Sequence, residues 1–311
     1  MARKTRLHYP GACYHIILRG NAGQDIFFAE QDRSRFLFLL QEGVERYKHR
    51  IHGYCLMTNH VHLLMQVGEI PLSRILQNVC FRYTGYINRR LNRTGHLFQG
   101  RYKAILIDID SYLLELIRYI HNNPVRAKMV KAPEDHPWSS HGAYLGNHRV
   151  PWLTTDWVLA QFSNKRKAAI CSFKYFVGKG LEEGERKEYR NGSIEGQILG
   201  DDHFAEKALG KASRQLRRRT TLDQVIAAVC EQYGIDRQDF FSGSRQKRIS
   251  EPRAVAALLV RDLDHLSLTA LGRELQRDLS GLSQAAGRLE RKLKQDRQLS
   301  EIVDSLREVL V

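Results

Sequence analysis

The segment that most limits the possible folds is a β-type stretch, Thr58 to Met65, in which two histidines alternate with apolar residues. Side chains two positions apart lie on the same face of a strand. His60 and His62 are therefore predicted to project from one face, while Val61 and Leu63 point to a core on the other. The apolar and β-branched residues just before the segment predict that it forms the end of a strand.

Two imidazoles side by side form half of a candidate metal site, because neutral imidazole is the commonest metal ligand in proteins. His60 and His62 fit this interpretation. The same pattern is also typical of two half-exposed histidines on a sheet. The pair alone does not separate these alternatives.

A second segment, residues 111 to 124, has the apolar spacing of a helix. Asp110 or Ser111 is expected to cap it, and Pro124 is expected to end it, because the residue before a proline avoids the α region. Tyr119 and Asn123 are four positions apart and share a face. They offer a nucleophile beside an oxygen ligand. The alternative is a buried tyrosine followed by a helix-terminating Asn-Pro.

Over about residues 8 to 146, these and three further segments resemble the HUH single-tyrosine transposases, in particular the branch of REP-associated tyrosine transposases. In chain order, the matching motifs are Tyr14-His15-Ile16-Ile17-Leu18-Arg19-Gly20-Asn21, Met57-Thr58-Asn59-His60-Val61-His62, Gly95-His96-Leu97-Phe98-Gln99-Gly100-Arg101-Tyr102, Arg118-Tyr119-Ile120-His121-Asn122-Asn123-Pro124-Val125-Arg126-Ala127 and Trp138-Ser139-Ser140.

The resemblance implies Tyr119 as the nucleophile, and His60, His62 and Asn123 as ligands of Mg²⁺ or Mn²⁺. It also implies nicking and rejoining of single-stranded hairpin DNA through a 5′-phosphotyrosine. Two histidines and an amide are too few donors for a closed structural zinc site, and a phosphate-binding metal needs open positions. Candidate DNA contacts in this part of the chain are Arg19, Arg82 and Arg101.

The order of elements up to Tyr119 is strand, helix, strand, long helix, strand, helix. This order predicts an α+β fold with a small antiparallel sheet and helices packed on one face. The ferredoxin-like fold that the resemblance implies agrees with it. The expected division of the chain is a transposase domain over 1–150, a helical connector and basic linker over 151–215, and a helical domain over 216–311.

Composition favours nucleic acid as the partner. The net charge is +15 and the pI is near 9.7, which indicates a polyanionic ligand rather than a particular fold. No apolar run approaches the roughly 20 residues needed to span a bilayer, and the five cysteines include no CxxC pair. We therefore expect a reduced cytoplasmic protein, monomeric or homodimeric, with no membrane partner and no zinc knuckle.

The last 90 or so residues predict a bundle of helices in which two helices joined by a tight turn suit a helix-turn-helix reader of duplex DNA. A plain helical bundle is the alternative. Residues 216 to 295 resemble the DNA-binding domain of the bacterial replication initiator DnaA, through Ser244-Arg245-Gln246-Lys247-Arg248, Pro252-Arg253, Ser267-Leu268, Leu271-Gly272 and Arg277-Asp278-Leu279-Ser280.

The resemblance implies duplex binding, with candidate contacts at Arg245, Lys247, Arg248, Arg253, Arg277 and Ser280. The sequence departs from the initiator at Leu279, where the initiator has His, at Gly281, where it has Thr, and by about one missing residue before Arg277. The initiator's own sequence preference is therefore not implied.

Two other functions are compatible with parts of the pattern. A catalytically inactive, sequence-specific DNA-binding regulator would keep the C-terminal domain and would not need Tyr119. A metal-dependent hydrolase that activates water would need a carboxylate near His60 and His62, and none is adjacent in the sequence.

Overall fold

The chain divides into two compact units, of which the first ends at Ser213 and the second begins at Arg214. The computed structural model describes residues 7–181, 186–194, 196–217, 220–244, 246–263, 266–293 and 295–310, without the side chains of 214–217. The start of the second unit lies within two residues of the expected boundary at 216. The expected break after residue 150 is wrong, because no boundary between units lies there.

The first unit is built on a five-stranded sheet in the order β2-β3-β1-β4-β5. The strands are β1 (Cys13–Arg19), β2 (Arg50–Leu56), β3 (His60–Gln66), β4 (Lys103–Ile107) and β5 (Ile198–Leu199). The first four pair antiparallel, as expected, while β5 lies parallel to β4. His60 begins β3 rather than ending a strand, because the chain reverses between β2 and β3, where the Met57 amide donates to the His60 carbonyl.

Eight described helices belong wholly or mainly to this unit: α1 (Glu30–Tyr47), α2 (Leu72–Arg90), α3 (Ile109–Arg126), α4 (His141–Tyr144), α5 (Asp156–Leu159), α6 (Arg166–Lys179), α7 (Lys187–Asn191) and α8 (Asp202–Arg217). The apolar stripes of α1 and α2 pack on each other through aromatic contacts such as Phe36 with Tyr83, whose ring centroids are 5.0 Å apart. The α+β class is confirmed. The expected order of elements is wrong at one point, because two strands, β2 and β3, lie between α1 and α2 where a single strand was expected.

The two faces of the sheet carry different side chains. Val61 and Leu63, with Ile16 and Leu18 of the neighbouring strand, form one fully buried apolar face. The face that carries the histidines is covered by α3, which packs against β2 and β3. Both faces are therefore buried, and the expectation of helices on one face only is wrong.

Residues after 150 complete the first unit rather than linking it to the second. Strand β5 extends the sheet, the ring of Phe173 stacks on Tyr144 with centroids 4.7 Å apart, and the Asn122 amide donates to the Val177 carbonyl at 2.9 Å. These contacts join α6 and β5 to the same hydrophobic core as the sheet. A segment without a long apolar pattern can still supply an edge strand of the sheet and a helix that packs on the core.

The second unit is helical throughout its described residues, as expected. It contains α9 (Leu222–Tyr233), α10 (Arg237–Phe241), α11 (Lys247–Asp262), α12 (Leu268–Glu274), α13 (Leu279–Leu293) and α14 (Arg297–Leu310) around a separate apolar core. Thr221 caps α9, and Gly234 ends it with a φ of 57°, a left-handed conformation that glycine adopts without strain. Among the described helices of both units, none has the length and apolar character to cross a membrane.

Candidate active site

The register of β1 and β3 brings the polar side chains of the site to one face. Arg19 lies opposite His60, and Ile17 lies opposite His62. Since alternate residues share a face, His15 joins this set. The rings of His60 and His62 have centroids 5.0 Å apart, which confirms the predicted pairing of the two imidazoles on one side of the sheet.

The hydrogen bonds of His60 fix its tautomer. Its Nδ1 lies 2.7 Å from the Asn59 side-chain oxygen, and the Asn59 amide nitrogen donates to the Gly23 carbonyl at 3.0 Å. Because that amide nitrogen must face the carbonyl, the amide oxygen faces His60 and accepts from its Nδ1–H. The Nε2 of a neutral His60 therefore carries a free lone pair.

His62 is fixed in the same way through a longer chain of hydrogen bonds. His15 donates from Nδ1 to the Tyr189 carbonyl at 2.7 Å, so the Nε2 of a neutral His15 is an acceptor. That Nε2 lies 2.9 Å from His62 Nδ1, which must then be the donor. His62 Nε2 is left with its lone pair, and an outer partner of this kind is typical of metal-binding histidines.

Burial keeps these three imidazoles neutral. It lowers the pKa of His15 and of His60 to about 4, with Arg19 and Arg190 acting in the same direction on His60. Burial, followed by the neighbouring His15 and His60, holds the pKa of His62 well below its usual range. Neutral imidazoles are what metal binding requires.

Tyr119 comes to this site from α3, with only 4% of its surface exposed. Its ring lies edge-on to His62 and to Tyr189, with centroids 6.0 and 5.1 Å away. The Arg126 guanidinium lies over its face, 4.7 Å from the ring centroid, and also donates to the Tyr119 carbonyl at 2.9 Å. A cation thus lies beside the candidate nucleophile.

The helix that carries Tyr119 is longer than expected. Asp108 caps it, one turn or less before the predicted caps, and it continues past Pro124 to Arg126. A proline inside a helix removes one amide donor. The carbonyl that loses its helical donor is that of Ile120, and the Asn123 side-chain nitrogen lies 3.5 Å from it. The same nitrogen donates to the Tyr119 carbonyl at 2.8 Å, as Arg126 does. The prediction that Pro124 ends the helix is therefore wrong.

Asn123 lies on the same face as Tyr119, as predicted, and is half-buried. Because its amide nitrogen is engaged with the Tyr119 carbonyl, its oxygen is the atom of this side chain that can bind a cation. The donor set of the site is thus two imidazole lone pairs and one amide oxygen. Only two of these three donors are histidines, and none is a cysteine or a carboxylate. In the described part of the chain, no three or more histidines, cysteines and carboxylates form a group that could hold a metal ion.

All four predicted catalytic and metal-binding residues line one cavity of about 600 Å³. The residues that line it are Ile17, Arg19, Met57, Asn59, His60, His62, Tyr119, Asn123, Arg126, Ala127 and Arg190. Within the described structure no carboxylate lines this cavity. A water-activating hydrolase has no general base of that type here, while the guanidinium groups suit a phosphodiester.

The three arginines expected to contact DNA in the first unit lie in different places. Arg19 is exposed and lines the cavity. Arg101 lines an adjoining cavity that shares Arg19 with the first. Arg82 lines neither one. It forms an ion pair with Glu42 at 2.8 Å between α1 and α2, so the structure does not bring it to the site.

Five residues that act in the site were not among the predicted site residues: His15, Asn59, Arg126, Tyr189 and Arg190. Arg126 lies seven positions after Tyr119, a helical spacing that could have identified it. His15 belongs to the first matching motif but looked like an ordinary sheet histidine. Tyr189 and Arg190 belong to the expected connector, and no sequence pattern links them to a site 70 residues earlier.

In the second unit, the placement of Arg253 corrects the prediction that it contacts DNA. It is 4% exposed and donates to the carbonyls of Phe240 at 2.7 Å, Ser244 at 2.6 Å and Asp239 at 3.1 Å, and also to that of Ser242. Its donors are used within the protein, so it holds the loop between α10 and α11 in place.

The other candidate DNA contacts of this unit lie near its surface. Lys247 and Arg248 are exposed at the start of α11, Arg248 in an ion pair with Asp239 at 2.9 Å. Ser280 is exposed at the start of α13, and half-buried Arg277 lies 3.5 Å from the Ser244 carbonyl. Arg245 lies outside the described residues. The turn between α12 and α13 is tight, because the Arg277 amide donates to the Gly272 carbonyl.

Comparison with known families confirms a transposase resemblance for the first region and the DnaA resemblance for the second. Residues 9–123 match the family described as "Transposase IS200 like", and residues 222–288 match "Bacterial dnaA protein helix-turn-helix". The chain therefore carries a transposase-type domain followed by a DnaA-type DNA-binding domain.

Individual relatives match one part of the chain each. The chromosomal replication initiator proteins DnaA of Thermoanaerobacter sp. (strain X514) and Caldanaerobacter subterraneus subsp. tengcongensis are each 33% identical over 107 residues, 34% of this chain and 24% of theirs. The chain thus spans about a quarter of the length of these relatives. A solved structure described as "Structure of the REP associates tyrosine transposase bound to a REP hairpin" aligns with 50% of this chain and 92% of its own, at 16% identity and a TM-score of 0.42.

Proposed function

We propose that the first unit nicks and rejoins single-stranded DNA at hairpin elements, with Tyr119 as the nucleophile and Mg²⁺ or Mn²⁺ bound by His60, His62 and Asn123. The observation that carries the proposal is that His60 and His62 each have their Nδ1 engaged as a donor. Each therefore presents an Nε2 lone pair on the face that Tyr119 approaches.

The donor set fits a metal that works on a phosphate. Two imidazoles and one amide oxygen leave open positions for phosphate oxygens and water. When bound, Mg²⁺ or Mn²⁺ would polarise a phosphate oxygen and orient the scissile group. Arg19, Arg126 and Arg190 line the same cavity and supply positive charge around that group.

The reaction exchanges one phosphoester for another. The Tyr119 oxygen forms a bond to phosphorus, and the bond from phosphorus to the 3′ oxygen breaks, which leaves a 5′-phosphotyrosine and a 3′-hydroxyl. The proton lost by the phenol balances the proton gained by the leaving oxygen. Because the phosphotyrosine keeps the bond energy, rejoining needs no nucleotide cofactor. The Arg126 guanidinium over the Tyr119 ring places a positive charge beside the attacking group.

The second unit would hold the protein on duplex DNA next to its substrate. The described residues that remain candidates for that contact are exposed Lys247, Arg248 and Ser280 and half-buried Arg277. Arg253 would act indirectly by shaping the loop before α11.

The test is incubation of the protein with labelled single-stranded hairpin oligonucleotides and Mn²⁺, followed by denaturing electrophoresis. The wild-type protein should form a covalent adduct, and Tyr119→Phe should form none while it still binds the oligonucleotide. Tyr112→Phe is the matched control, because Tyr112 is on α3 but does not line the cavity. DNA binding without any adduct, over a broad set of hairpins, would instead support the inactive regulator.

A further inference from the structure

A second cavity of about 450 Å³ adjoins the candidate active site and has an unusual charge. Five cationic side chains line it: Arg19, Arg101, Lys103, Lys187 and Arg190. Its remaining described lining residues are uncharged, so no carboxylate among them balances these groups. We call these five residues the cationic cleft.

The cleft is continuous with the site that holds Tyr119. Ile17, Arg19 and Arg190 line both cavities. A polymer with one end at Tyr119 would therefore enter the cleft without leaving the surface of the protein. A small isolated anion would not need this continuity.

Three of the five cations in the cleft have no ion-pair partner among the described carboxylates. Arg19, Arg101 and Lys187 form no ion pair with a described carboxylate, in contrast to Arg82, which pairs with Glu42. Burial and the neighbouring Arg190 lower the pKa of Lys103, which indicates that the cations disfavour one another. Lys103 also donates to the Asn191 side chain at 2.9 Å, which fixes its position in the cleft. Repulsion of this kind destabilises a compact fold, and a bound polyanion relieves it.

Helix α7 is what closes the cleft. Lys187, Arg190 and Asn191 all lie on it. Arg19 ends β1, Lys103 begins β4, and Arg101 lies in the loop just before β4. The family match ends at residue 123, so α7 is a part of the site that lies outside the matched region. Tyr189, whose carbonyl orients His15, lies on the same helix and ties the cleft to the candidate metal ligands.

We propose that the cationic cleft binds the phosphates of the single-stranded segment that adjoins the scissile phosphate. This proposal rests on the proposed function of Tyr119. The arginines suit bidentate contacts with phosphate, and the lysines act as point charges. The five positive charges suit contacts with the backbone phosphates, which position a strand on a protein.

The experiment compares the salt dependence of binding for a cleft variant and a matched control. The cleft variant is Arg101→Gln with Lys187→Gln, both exposed and outside the cavity that holds Tyr119. The control is Lys165→Gln with Lys167→Gln, which removes the same charge from exposed positions of the same unit that line neither cavity. The probe is fluorescein-labelled oligo(dT), titrated with the full-length proteins at a series of KCl concentrations.

The loss of two phosphate contacts should make the slope of log affinity against log salt shallower by about 1.4, which is two times about 0.7 for a single strand. The control should keep the wild-type slope. Equal slopes for all three proteins would overturn the proposal, as would equal changes in the cleft variant and the control. If the cleft variant misfolds by circular dichroism, each single substitution should give about half the change.

A second measurement places the bound strand next to the scissile phosphate. With a hairpin that forms the adduct, lengthening the single-stranded flank should lower KM for wild-type protein and for the control, and should not lower it for the cleft variant. An equal fall in KM for all three proteins would show that the cleft does not bind the strand next to the scissile phosphate. A wild-type protein that forms no adduct, while the slope difference persists, would contradict the function of Tyr119 and leave the phosphate-binding cleft supported.

Discussion

The two units hold their functional candidates in opposite ways. In the first unit the candidate catalytic and metal-binding groups are buried or half-buried, and distant parts of the chain orient them, as in the bond from His15 to the Tyr189 carbonyl across 174 positions. In the second unit the remaining candidates are mostly exposed, and the partners of Arg253 lie within 14 positions of it. Catalysis needs fixed geometry, whereas phosphate binding needs accessible charge.

The two sites also differ in how much of the chain they depend on. The site of the first unit depends on residues up to Arg190, well beyond the matched region that ends at residue 123. The second unit has its own core and its own short-range contacts. The first site should therefore be sensitive to changes far away in the sequence, and the second should not.

The largest effect is expected from a truncation that removes the distant residues on which the first site depends. A chain that ends at Val150 would lack the Tyr189 carbonyl, the β5 edge strand and the Phe173 ring that stacks on Tyr144. We expect it to form no adduct and to unfold readily, although it contains Tyr119, His60, His62 and Asn123. A chain that ends at Ser213 should keep metal-dependent adduct formation. Circular dichroism and the adduct assay check both, and full activity in the shorter chain would refute the role of residues 151–213.

Mild acid should destabilise the first unit more than the second. Burial lowers the pKa of eight histidines of the first unit below the unfolded value of about 6.5: His15, His49, His52, His60, His62, His121, His136 and His141. The fold binds these histidines in their neutral form, and their full contribution to the free energy of unfolding is present above pH 6.5. As the pH falls below that value, the free energy of unfolding decreases by up to about 1.4 kcal/mol per histidine per pH unit. The second unit has a single histidine, His265, which lies outside the described residues.

Thermal unfolding with a metal chelator present, at pH 7 and at pH 5, measures this difference. The transition of the first unit should move to lower temperature by an amount that corresponds to several kcal/mol. The transition of the second unit should move much less. Equal shifts of both transitions would show that the buried histidines do not control the acid sensitivity of the first unit.

The role of His15 can be tested by restoring its hydrogen bonds with another side chain. His15→Leu removes the acceptor for His62 Nδ1–H and should weaken Mn²⁺ binding by about 10–100-fold. His15→Gln keeps one acceptor and one donor and should recover most of the affinity. Calorimetric titration measures the Mn²⁺ affinity of both variants. The double variant His60→Ala with His62→Ala is the reference that lacks the metal site. Equal losses in the Leu and Gln variants would mean that His15 acts only by packing.

The smallest expected effect lies in the second unit and leaves catalysis untouched. A Cβ on Gly272 would come 2.8 Å from the Arg277 carbonyl oxygen, at the turn between α12 and α13. Gly272→Ala should therefore destabilise this unit by about 1–3 kcal/mol. Gly287→Ala is the control, since nothing lies within 4 Å of its Cβ position, and it should be neutral or stabilising. Duplex binding should fall for the first variant only, while adduct formation on hairpins stays unchanged in both.

Local patterns in the sequence predicted the parts of the site that depend on short spacing. The shared face of His60 and His62 follows from strand geometry, and that of Tyr119 and Asn123 from helical geometry. The order of elements likewise predicted the α+β sheet. Each of these inferences needed only residues within a few positions of one another.

Long-range partners were not predictable in this way. Nothing near His15 indicates that a carbonyl 174 positions later fixes its tautomer. Arg253 was expected at the DNA because it lies in a motif of the initiator, yet four carbonyls of α10 and of the loop that follows it accept from its guanidinium. Pro124 was expected to end α3, but side chains of Asn123 and Arg126 supply donors in that turn.

The most direct test of the account is to identify the atom that becomes linked to DNA. The protein is incubated with a single-stranded hairpin and Mn²⁺, digested with protease and nuclease, and the modified peptide is sequenced by mass spectrometry. The account predicts a 5′-phosphate ester on Tyr119. The informative rival is Tyr189, whose ring lies 5.1 Å from that of Tyr119, although burial raises the pKa of its phenol to about 12. Attachment at Tyr189 or Tyr112, or through a 3′-phosphate, would contradict the account.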